Sequence, residues 1–303
     1  MEITLTSKKQ AWLHAFRLRT LPLALSSIFL GSILAAGDGT LRWEVLLLAS
    51  LTTVLLQVLS NLANDYGDSV HGADHADRQG PVRAVQSGVI SPAEMKQAMI
   101  LCGVLSLICG VWLLYVAFED LIVFLGFLAL GLLAIFAAIN YTTGKNPYGY
   151  MGLGDLSVFL FFGLSGVLGT YFLHSGTFNP WILLPACSLG FFSMAVLNIN
   201  NIRDIESDRV AGKKSIPVRI GRVAAVRYNW LLIIGGNLSM AVFLLSGKSL
   251  GGFTFLLVLP LMWVVGRGVH RAESAVNTDP YLKKMALSTL LWVIAFGIGH
   301  LFF

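Results

Sequence analysis

Residues 43–68 read WEVLLLASLTTVLLQVLSNLANDYGD, a long apolar run that ends in a compact polar cluster. The apolar part, residues 43–63, is long enough to cross the roughly 30 Å hydrocarbon core of a bilayer as a helix. The polar part, residues 61–68, holds two asparagines and two aspartates. A second apolar run, residues 181–199, ends in a similar cluster at residues 200–208. Each cluster therefore lies at one end of a predicted membrane helix.

The composition predicts an integral membrane protein. Of the 303 residues, 56% are hydrophobic and only 12% are charged, against roughly 25% charged residues in an average soluble domain. The alternation expected of barrel strands is missing, so the spans must be helical. Nine apolar runs lie near residues 20–37, 43–63, 98–118, 121–140, 156–173, 181–199, 229–246, 251–266 and 285–303. We therefore expect an all-α, polytopic bundle of nine membrane helices that forms one domain over residues 1–303.

The basic residues predict the orientation of this bundle. With the N-terminus in the cytoplasm, all but Arg42 and Lys248 of the 21 lysines and arginines fall in cytoplasmic segments. Membrane proteins have this asymmetry, and a missed or added helix would destroy it. We therefore expect a cytoplasmic N-terminus and a C-terminus on the outer side. The formal net charge of +5 reflects the same bias, so we expect no nucleic-acid partner.

Each polar cluster presents one oxygen-rich helix face. The residues on these faces are Asn61, Asn64, Asp65 and Asp68 in the first cluster and Asn200, Asn201, Asp204 and Asp208 in the second. On a helix, each set falls within an arc of roughly 100°. A carboxylate costs about 2.5–3.5 kcal/mol in the middle of a bilayer and stays unfavourable near its edge when crowded, so such clusters indicate a cation. Oxygen ligands suit Mg²⁺, which usually shares its coordination with a substrate phosphate.

Topology places both clusters on the same side of the membrane. The second and sixth spans are separated by an even number of crossings, so their C-terminal ends both face the cytoplasm. Two acidic faces with lysines and arginines nearby suit a diphosphate, because metal ions bridge carboxylate and phosphate oxygens. The alternative is that these groups are interfacial charges paired among themselves, with the asparagines capping helices. The repeated Asn and Asp at helical spacing favour the diphosphate site.

Three short motifs resemble the signatures of the UbiA superfamily of intramembrane prenyltransferases. They are Asn64-Asp65-Tyr66-Gly67-Asp68, Tyr141-x-x-x-Lys145 and Asp204-x-x-x-Asp208. The resemblance covers nearly the whole chain and implies the nine-helix bundle of that superfamily. Residues 61–68, 77–83, 148–155 and 197–204 are most similar to the branch whose aromatic acceptor is 1,4-dihydroxy-2-naphthoate. The implied reaction transfers a polyprenyl group from polyprenyl diphosphate to that ring, with loss of CO₂, to give demethylmenaquinone.

The resemblance also implies roles for individual residues. The implied Mg²⁺ ligands are Asn64, Asp68, Asp204 and Asp208, supported by Asp65 and Asn200. The implied catalytic set is Asp65, Asp68, Lys145, Asp204 and Asp208. The implied substrate-binding set is Arg17, Asn61, Arg78, Arg83, Tyr141, Tyr148, Asp155, Asn200, Asn201 and Arg209. Among them, the arginines, Lys145 and Tyr141 are candidates for the diphosphate, and Asp155 for the hydroxyls of the acceptor.

Other interpretations of some of these residues remain open. Arg17, Arg78 and Arg83 fit the positive-inside bias equally well. Asp155 equally fits a helix N-cap that interacts with the helix dipole. A lid over the site and solvated loop charges are both open for the later basic residues, which are Lys213, Lys214 and Arg219.

The loop after the first cluster departs from the superfamily pattern. A third aspartate is expected four residues after Asp68, but Gly72 occupies that position. The loop instead continues to Asp74, Asp77 and Arg78. Of these residues, we expect Asp77 to replace the third aspartate.

Two other functions are compatible with the sequence. A superfamily member that uses another aromatic acceptor, such as 4-hydroxybenzoate, would keep the metal site and change the acceptor pocket. An ion-coupled secondary transporter would also have acids at helix ends, although it predicts charges near the middle of the membrane rather than at one face. The expected partners are polyprenyl diphosphate, 1,4-dihydroxy-2-naphthoate and membrane lipid, in a bacterial inner membrane. Tail length and oligomeric state do not follow from the sequence.

Overall fold

The computed structural model describes residues 7–70, 83–247 and 250–303, and the regular elements in these ranges are helices. They are α1 Lys8–Phe16, α2 Leu21–Gly37, α3 Trp43–Val70, α4 Pro92–Ala117, α5 Leu121–Asn140, α6 Gly154–Ser175, α7 Pro180–Arg203, α8 Ile205–Val210, α9 Ile216–Gly247, α10 Gly251–Arg271 and α11 Ala275–Phe302. With α1 and α2 counted as one span, all except the short α8 are long and apolar enough to cross a membrane, which gives nine spans in these ranges. The predicted all-α fold with nine spans is therefore confirmed, and the protein is a multi-pass membrane protein.

Several helices extend beyond the apolar runs that predict them. Helix α3 continues to Val70 instead of ending near residue 63, so the first polar cluster is itself helical. Helix α9 begins at Ile216, well before the expected start near residue 229, and is interrupted at Gly221 with φ 77° and ψ 164°. Hydropathy marks only the part of a helix inside hydrocarbon. A helical backbone satisfies its own hydrogen bonds and therefore continues into polar sequence at either end.

Helix α7 is the most buried of the spans, with 67% of its most apolar window inside the protein. Its Leu189 and Phe192 are fully buried, and Phe192 packs edge-on against Trp292 of α11 with ring centroids 5.0 Å apart. Helix α6 approaches α7 closely, because a Cβ on Gly163 would lie only 2.7 Å from the Cα of Gly190. The second acidic cluster thus projects from the central helix of the bundle.

Helices α4 and α5 lie at the edge of the bundle. Only 22% and 6% of their most apolar windows are buried inside the protein. Their exposed side chains include Trp112, Ile122 and Phe136. In water such a surface would drive association, whereas here it faces hydrocarbon. These two helices form an outer wall of the bundle.

Two loops pack against each other over the end of the bundle that carries the polar clusters. They are residues 141–153, between α5 and α6, and residues 211–215, between α8 and α9. The backbone amide of Lys214 donates to the carbonyl of Tyr150 at 2.8 Å. Gly152 has φ 84°, and a Cβ at this position would lie 2.3 Å from the Lys214 carbonyl oxygen. The contact therefore requires glycine.

Candidate active site

The two acidic clusters meet at one lysine. The Nζ of Lys213 lies 3.0 Å from Oδ1 of Asp68 and 3.5 Å from Oδ1 of Asp208. The first acid belongs to α3 and the second to α8. Acids from both clusters therefore face the same ammonium group, and the predicted convergence of the clusters is confirmed.

Asp68 connects α3 to both loops of the site. Its side chain is 3% exposed, and its Oδ2 lies 2.6 Å from Nη2 of Arg83. Its Oδ1 accepts a hydrogen bond from the Tyr150 hydroxyl at 2.6 Å. Lys213 also lies over the Tyr150 ring, 4.7 Å from the centroid. One carboxylate thus binds two cationic side chains and a phenol that belong to three different segments.

Arg203 organises the second cluster. Its Nε and Nη2 donate to both carboxylate oxygens of Asp204, at 2.8 and 2.6 Å, and Nη2 also donates to Oδ1 of Asn200 at 2.9 Å. Its Nη1 binds Asp279 of α11, which also accepts from Nη1 of Arg19 at 3.0 Å. The Arg203 side chain is 4% exposed. This network joins α7, α11 and the segment before α2.

A cavity of about 460 Å³ begins at these acids and continues between the membrane helices. Its far part is apolar and reaches Ile28 of α2, Phe127 of α5 and Leu173 of α6. The predicted site residues that line the cavity are Arg17, Asn61, Asn64, Asp68, Arg83, Tyr141, Tyr148, Asp155, Asn200, Asn201, Asp204 and Asp208. The predicted residues that lie outside the described ranges are Gly72, Asp74, Asp77 and Arg78.

Asp65 holds backbone instead of lining the cavity. Its two carboxylate oxygens accept from the amides of Ala84 and Val85, both at 3.1 Å, and the residue is 1% exposed. Arg83, the residue before Ala84, donates through Nη1 to the Asn64 carbonyl at 2.6 Å. The catalytic role predicted for Asp65 is not supported by this position. The geometry gives it a positioning role toward Arg83.

Two of the predicted basic residues are not among the described residues that line the cavity. Lys145 is exposed and is not among the described residues that line the cavity. Arg209 is exposed as well, and it pairs at 2.9 Å with a glutamate of the same helix. The lysine that faces the acids is Lys213, for which a lid and a solvated charge were both open. Gly212, with φ 72°, turns the chain back after α8, and the Lys213 amide donates to the Asp208 carbonyl at 2.8 Å.

The other basic residues of this segment hold the two loops together. The Lys214 amide binds the Tyr150 carbonyl, and Nη2 of Arg219 donates to the Met151 carbonyl at 2.7 Å. Two interpretations were open for this segment, a lid over the site and solvated charges. Neither of them describes all of its basic residues. Lys213 faces the acids, whereas Arg219 is exposed and binds the neighbouring loop.

Asn61 and Arg17 connect the cavity to the N-terminal segment. Arg17 has φ 47° and ψ 54°, a left-handed conformation that is uncommon outside glycine. The Nδ2 of Asn61 donates to the Phe16 carbonyl at 3.0 Å and to Oγ1 of Thr20 at 3.1 Å. Helix α3 therefore holds the turn that places Arg17 at the cavity. Strained backbone of this kind is often found at functional sites.

Asp155, Tyr141 and Tyr148 line the cavity, and Tyr228 holds Asp155 from α9. Asp155 is buried, and its Oδ1 accepts from the Tyr228 hydroxyl of α9 at 3.1 Å. Leu153 occupies the N-cap position of α6 and Asp155 lies in its first turn, so Asp155 is not the N-cap, whereas its position suits an interaction with the helix dipole. The Tyr148 hydroxyl donates to a carbonyl of α5 at 2.9 Å, and the Tyr141 ring stands edge-on to it at 5.3 Å. Removal from water raises the pKa of both Tyr141 and Tyr148, so each phenol keeps its proton.

The donor set at the acids fits Mg²⁺. Asn64, Asp68, Asp204 and Asp208 offer oxygens to one cavity, and Mg²⁺ takes such ligands together with substrate phosphates. Burial raises the pKa of Asp208 to about 6, and nearby Asp204 and Asp68 add to this shift although Lys213 opposes it. Asp208 therefore holds a proton more readily than a carboxyl group in water. In the described ranges, no group of three or more His, Cys, Asp or Glu side chains could hold a metal ion by itself.

Sequence comparisons agree with this geometry. The model of the UbiA prenyltransferase family matches residues 24–291. The chain is 48% identical to the 1,4-dihydroxy-2-naphthoate octaprenyltransferase of Escherichia coli (strain K12), over 97% of this chain and 96% of that protein. It is 43% identical to the Haemophilus influenzae protein of the same name, over 98% of this chain and 97% of that protein.

Solved structures share the fold. The apo structure of a UbiA homologue from Aeropyrum pernix K1 has a TM-score of 0.69 and 16% identity, over 93% of this chain and 97% of that chain. A UbiA homologue from Archaeoglobus fulgidus bound to DMAPP and Mg²⁺ has a TM-score of 0.60 and 17% identity, over 94% and 98%. At these identities the structures support the fold alone. Because the family model spans residues 24–291 and full-length relatives are more than 40% identical, the chain belongs to the UbiA prenyltransferase family.

Proposed function

We propose that this protein transfers a polyprenyl group from polyprenyl diphosphate to 1,4-dihydroxy-2-naphthoate, with loss of CO₂, in menaquinone biosynthesis. The convergence of Asp68 and Asp208 on Lys213 at the head of a largely apolar cavity carries the proposal. Relatives at 48% and 43% identity are named for prenyl transfer to this acceptor. The cavity suits a substrate with an anionic head and a long apolar tail, because each buried CH₂ contributes ~0.8 kcal/mol.

The Mg²⁺ ligands in this proposal are Asn64, Asp68, Asp204 and Asp208, together with oxygens of the diphosphate. Mg²⁺ held by these residues would supply positive charge to the departing diphosphate and so favour cleavage of the allylic C–O bond. Arg203 keeps Asp204 directed at the cavity, because both oxygens of that carboxylate are fixed by its guanidinium. A UbiA homologue of the same fold is described as bound to DMAPP and Mg²⁺, which supports this part of the proposal.

The diphosphate-binding set in this proposal is Arg17, Arg83 and Lys213, with Tyr141 as a neutral hydrogen-bond donor. The planar guanidinium of Arg83 suits two-point binding of phosphate oxygens. Lys213 neutralises Asp68 and Asp208 before substrate binds. Once the diphosphate occupies the site, its oxygens replace the carboxylates as partners of that ammonium group.

Asp155 acts on the aromatic acceptor in this proposal. Its carboxylate is held by Tyr228 through Oδ1 and accepts a hydrogen bond from a ring hydroxyl of the acceptor through its other oxygen. This hydrogen bond raises the electron density of the ring, whose carboxyl-bearing carbon forms the new C–C bond as the prenyl C–O bond breaks. Loss of CO₂ then returns an electron pair to the ring. No covalent protein nucleophile is required.

We also propose the placement of the site in the cell. The positive-inside bias supports a cytoplasmic N-terminus, an outer C-terminus and a site that faces the cytoplasm. Menaquinone chemistry supports an inner membrane. The match of the family model to residues 24–291 supports a single domain over the whole chain.

A labelled-acceptor assay tests this function. The purified protein receives farnesyl diphosphate, Mg²⁺ and 1,4-dihydroxy-2-naphthoate labelled in its carboxyl group. We expect a prenylated naphthalene that has lost its carboxyl, with release of an equal amount of labelled CO₂. 4-Hydroxybenzoate offered at the same concentration should react at least about 100-fold more slowly, since a polar acceptor pocket discriminates at this level or better. Faster prenylation of 4-hydroxybenzoate, or no prenylation of either acid, contradicts the proposal.

A matched pair of variants links this activity to the site. Asp68→Asn should lower kcat at least ~100-fold, because it removes a charged ligand of the Mg²⁺ that would stabilise the departing diphosphate. Asp120→Asn makes the same change at the opposite end of the bundle, where Asp120 caps α5 by accepting from the Val123 amide at 2.9 Å. Asparagine preserves such a cap, so this variant should keep the original activity. Equal activity of the two variants would contradict the assignment.

A further inference from the structure

A second cavity lies between α9 and α10, at the same end of the bundle as the acids. Its volume is about 410 Å³, and it is lined by Trp230, Trp263, Arg267, His270 and Arg271. Helix α10 ends at Arg271, close to the start of α11, where Asp279 binds Arg203. The cavity is thus at the depth of the polar membrane interface, and its lining contains none of the residues of the proposed reaction.

The two tryptophans form the floor of this cavity. The rings of Trp230 and Trp263 lie 4.9 Å apart at an angle of 58°. Trp230 lies against the backbone of α10, because a Cβ on Gly266 would approach its ring to 2.5 Å. Arg222 of α9 donates to the Val269 carbonyl at 3.4 Å and so joins α9 to the end of α10. The two walls are therefore fixed relative to each other by packing and by a hydrogen bond.

The rim of the cavity is cationic. Arg267 and Arg271 follow Trp263 by four and eight residues, so all three share one face of α10. Both arginines are exposed, and neither forms an ion pair within the ranges that the structure describes. Arg227 is exposed one helical turn from Trp230 on α9 and extends the positive surface. The charge at this rim is therefore available to an external anion.

The order of the tryptophan and arginine side chains along α10 matches the order of the ester and phosphate groups in a phospholipid. Trp263 lies about 12 Å deeper than Arg271, given 1.5 Å of rise per residue. Arginines at the upper level suit a phosphate, and tryptophans below suit the glycerol esters, where their N–H groups find acceptors. Basic cavities between membrane helices are known to bind anionic headgroups. We propose that this cavity binds the headgroup of an anionic phospholipid from the surrounding bilayer.

Fluorescence quenching tests this proposal. The full-length protein is placed in phosphatidylcholine nanodiscs that contain phosphatidylglycerol brominated on its acyl chains near the glycerol. We expect this lipid to quench tryptophan emission several-fold more strongly than brominated phosphatidylcholine at the same mole fraction. Trp263→Phe should remove most of the difference. Equal quenching by the two lipids, or an undiminished difference in Trp263→Phe, would overturn the proposal.

Charge variants and a free anion complete the experiment. The double variant Arg267→Gln/Arg271→Gln should abolish the preference for phosphatidylglycerol. The control Lys9→Gln/Lys96→Gln removes the same charge from exposed positions of α1 and α4 and should keep the preference. Millimolar inorganic phosphate should not displace the lipid. Retention of the preference in the arginine variant, its loss in the lysine variant, or full displacement by phosphate would each overturn the proposal.

Discussion

Arg203 binds both carboxylate oxygens of Asp204, at 2.8 and 2.6 Å, while its remaining nitrogen binds Asp279 on another helix. Asp279 is in turn bound by Arg19. The positive charge of Arg203 is therefore shared between two acids. Asp204 keeps part of its negative charge for the cavity, where our proposal places Mg²⁺.

The change Asp279→Asn should weaken Mg²⁺ binding. Without Asp279, the guanidinium of Arg203 interacts with Asp204 alone and neutralises it more completely. We expect about a tenfold loss of affinity, equivalent to ~1.4 kcal/mol, with a higher KM for Mg²⁺ and a smaller change in kcat. Mn²⁺ titration followed by electron paramagnetic resonance measures the affinity without turnover. Glu273→Gln removes an exposed acid at the same end of the bundle and serves as the control; equal affinities in the two variants would exclude this role of Asp279.

Two lysines provide a matched test of the diphosphate site. Lys213→Ala should lower kcat/KM for the prenyl diphosphate about 100-fold, since a charged group at the developing anion is typically worth ~2.7–4 kcal/mol. Lys145→Ala should remain within about twofold of the unchanged protein, as expected for an exposed residue. Steady-state kinetics with the prenyl diphosphate as the varied substrate distinguishes them. A larger loss in Lys145→Ala would reverse the assignment.

Asp65→Asn should act through Arg83. The amide side chain keeps only one oxygen for the two backbone N–H groups that Asp65 now binds, so the segment that begins at Arg83 loses part of its anchor. We expect KM for the prenyl diphosphate to rise about tenfold, or ~1.4 kcal/mol, with kcat nearly unchanged. A direct catalytic role would instead lower kcat as in Asp68→Asn. The comparison of kcat between these two variants decides the matter.

A pair of glycines tests the contact between the two loops. Gly152→Ala should lower kcat/KM at least about tenfold, because its Cβ would lie 2.3 Å from the Lys214 carbonyl oxygen and would displace the neighbouring Lys213. Gly212→Ala has a similar positive φ but open space around the new Cβ. It should cost only the ~1–2 kcal/mol of a left-handed alanine and should keep most activity. Similar kinetics in the two variants would show that the loop contact is unimportant for turnover.

Metal removal should abolish turnover reversibly. Chelation with EDTA removes the charge that stabilises the departing diphosphate, and added Mg²⁺ should restore the full rate. Mg²⁺ together with an unreactive prenyl diphosphate analogue should also raise the melting temperature, because a ligand at 100 times its Kd stabilises the folded state by ~2.7 kcal/mol. Full activity after thorough chelation would contradict the proposed chemistry.

The fold was predictable because hydrocarbon thickness dictates the length of an apolar helix. The runs near residues 43–63 and 181–199 identify α3 and α7 correctly, and an even number of crossings between them brings their acids to one end. The ends of the helices were less predictable. Helix α3 reaches Val70 because its polar residues continue the backbone hydrogen bonds, and no hydropathy signal reports this.

The site was predictable where one helix face carries it and less so where separate segments meet. The positions of Asp68 and Asp208 follow from helical spacing. That Lys213 rather than Lys145 faces the acids depends on a turn at Gly212, which helical spacing does not reveal. Asp279 and Tyr228 act across the bundle, through Arg203 and Asp155 respectively. The sequence signal that could have indicated Asp279 is an acid in the first turns of an apolar helix. Periodicity does not give the rotation of one helix relative to another, so it could not show that Asp279 faces Arg203.

The thin outer wall formed by α4 and α5 has a consequence for the route by which a polyprenyl substrate reaches the cavity. Leu107 of α4 and Leu132 of α5 are exposed yet also line the cavity, so a single layer of side chains separates the reaction chamber from acyl chains. This wall therefore borders both the cavity and the bilayer. A polyprenyl chain that crossed it would stay in an apolar environment, and only the small water-soluble reactants would need an aqueous route.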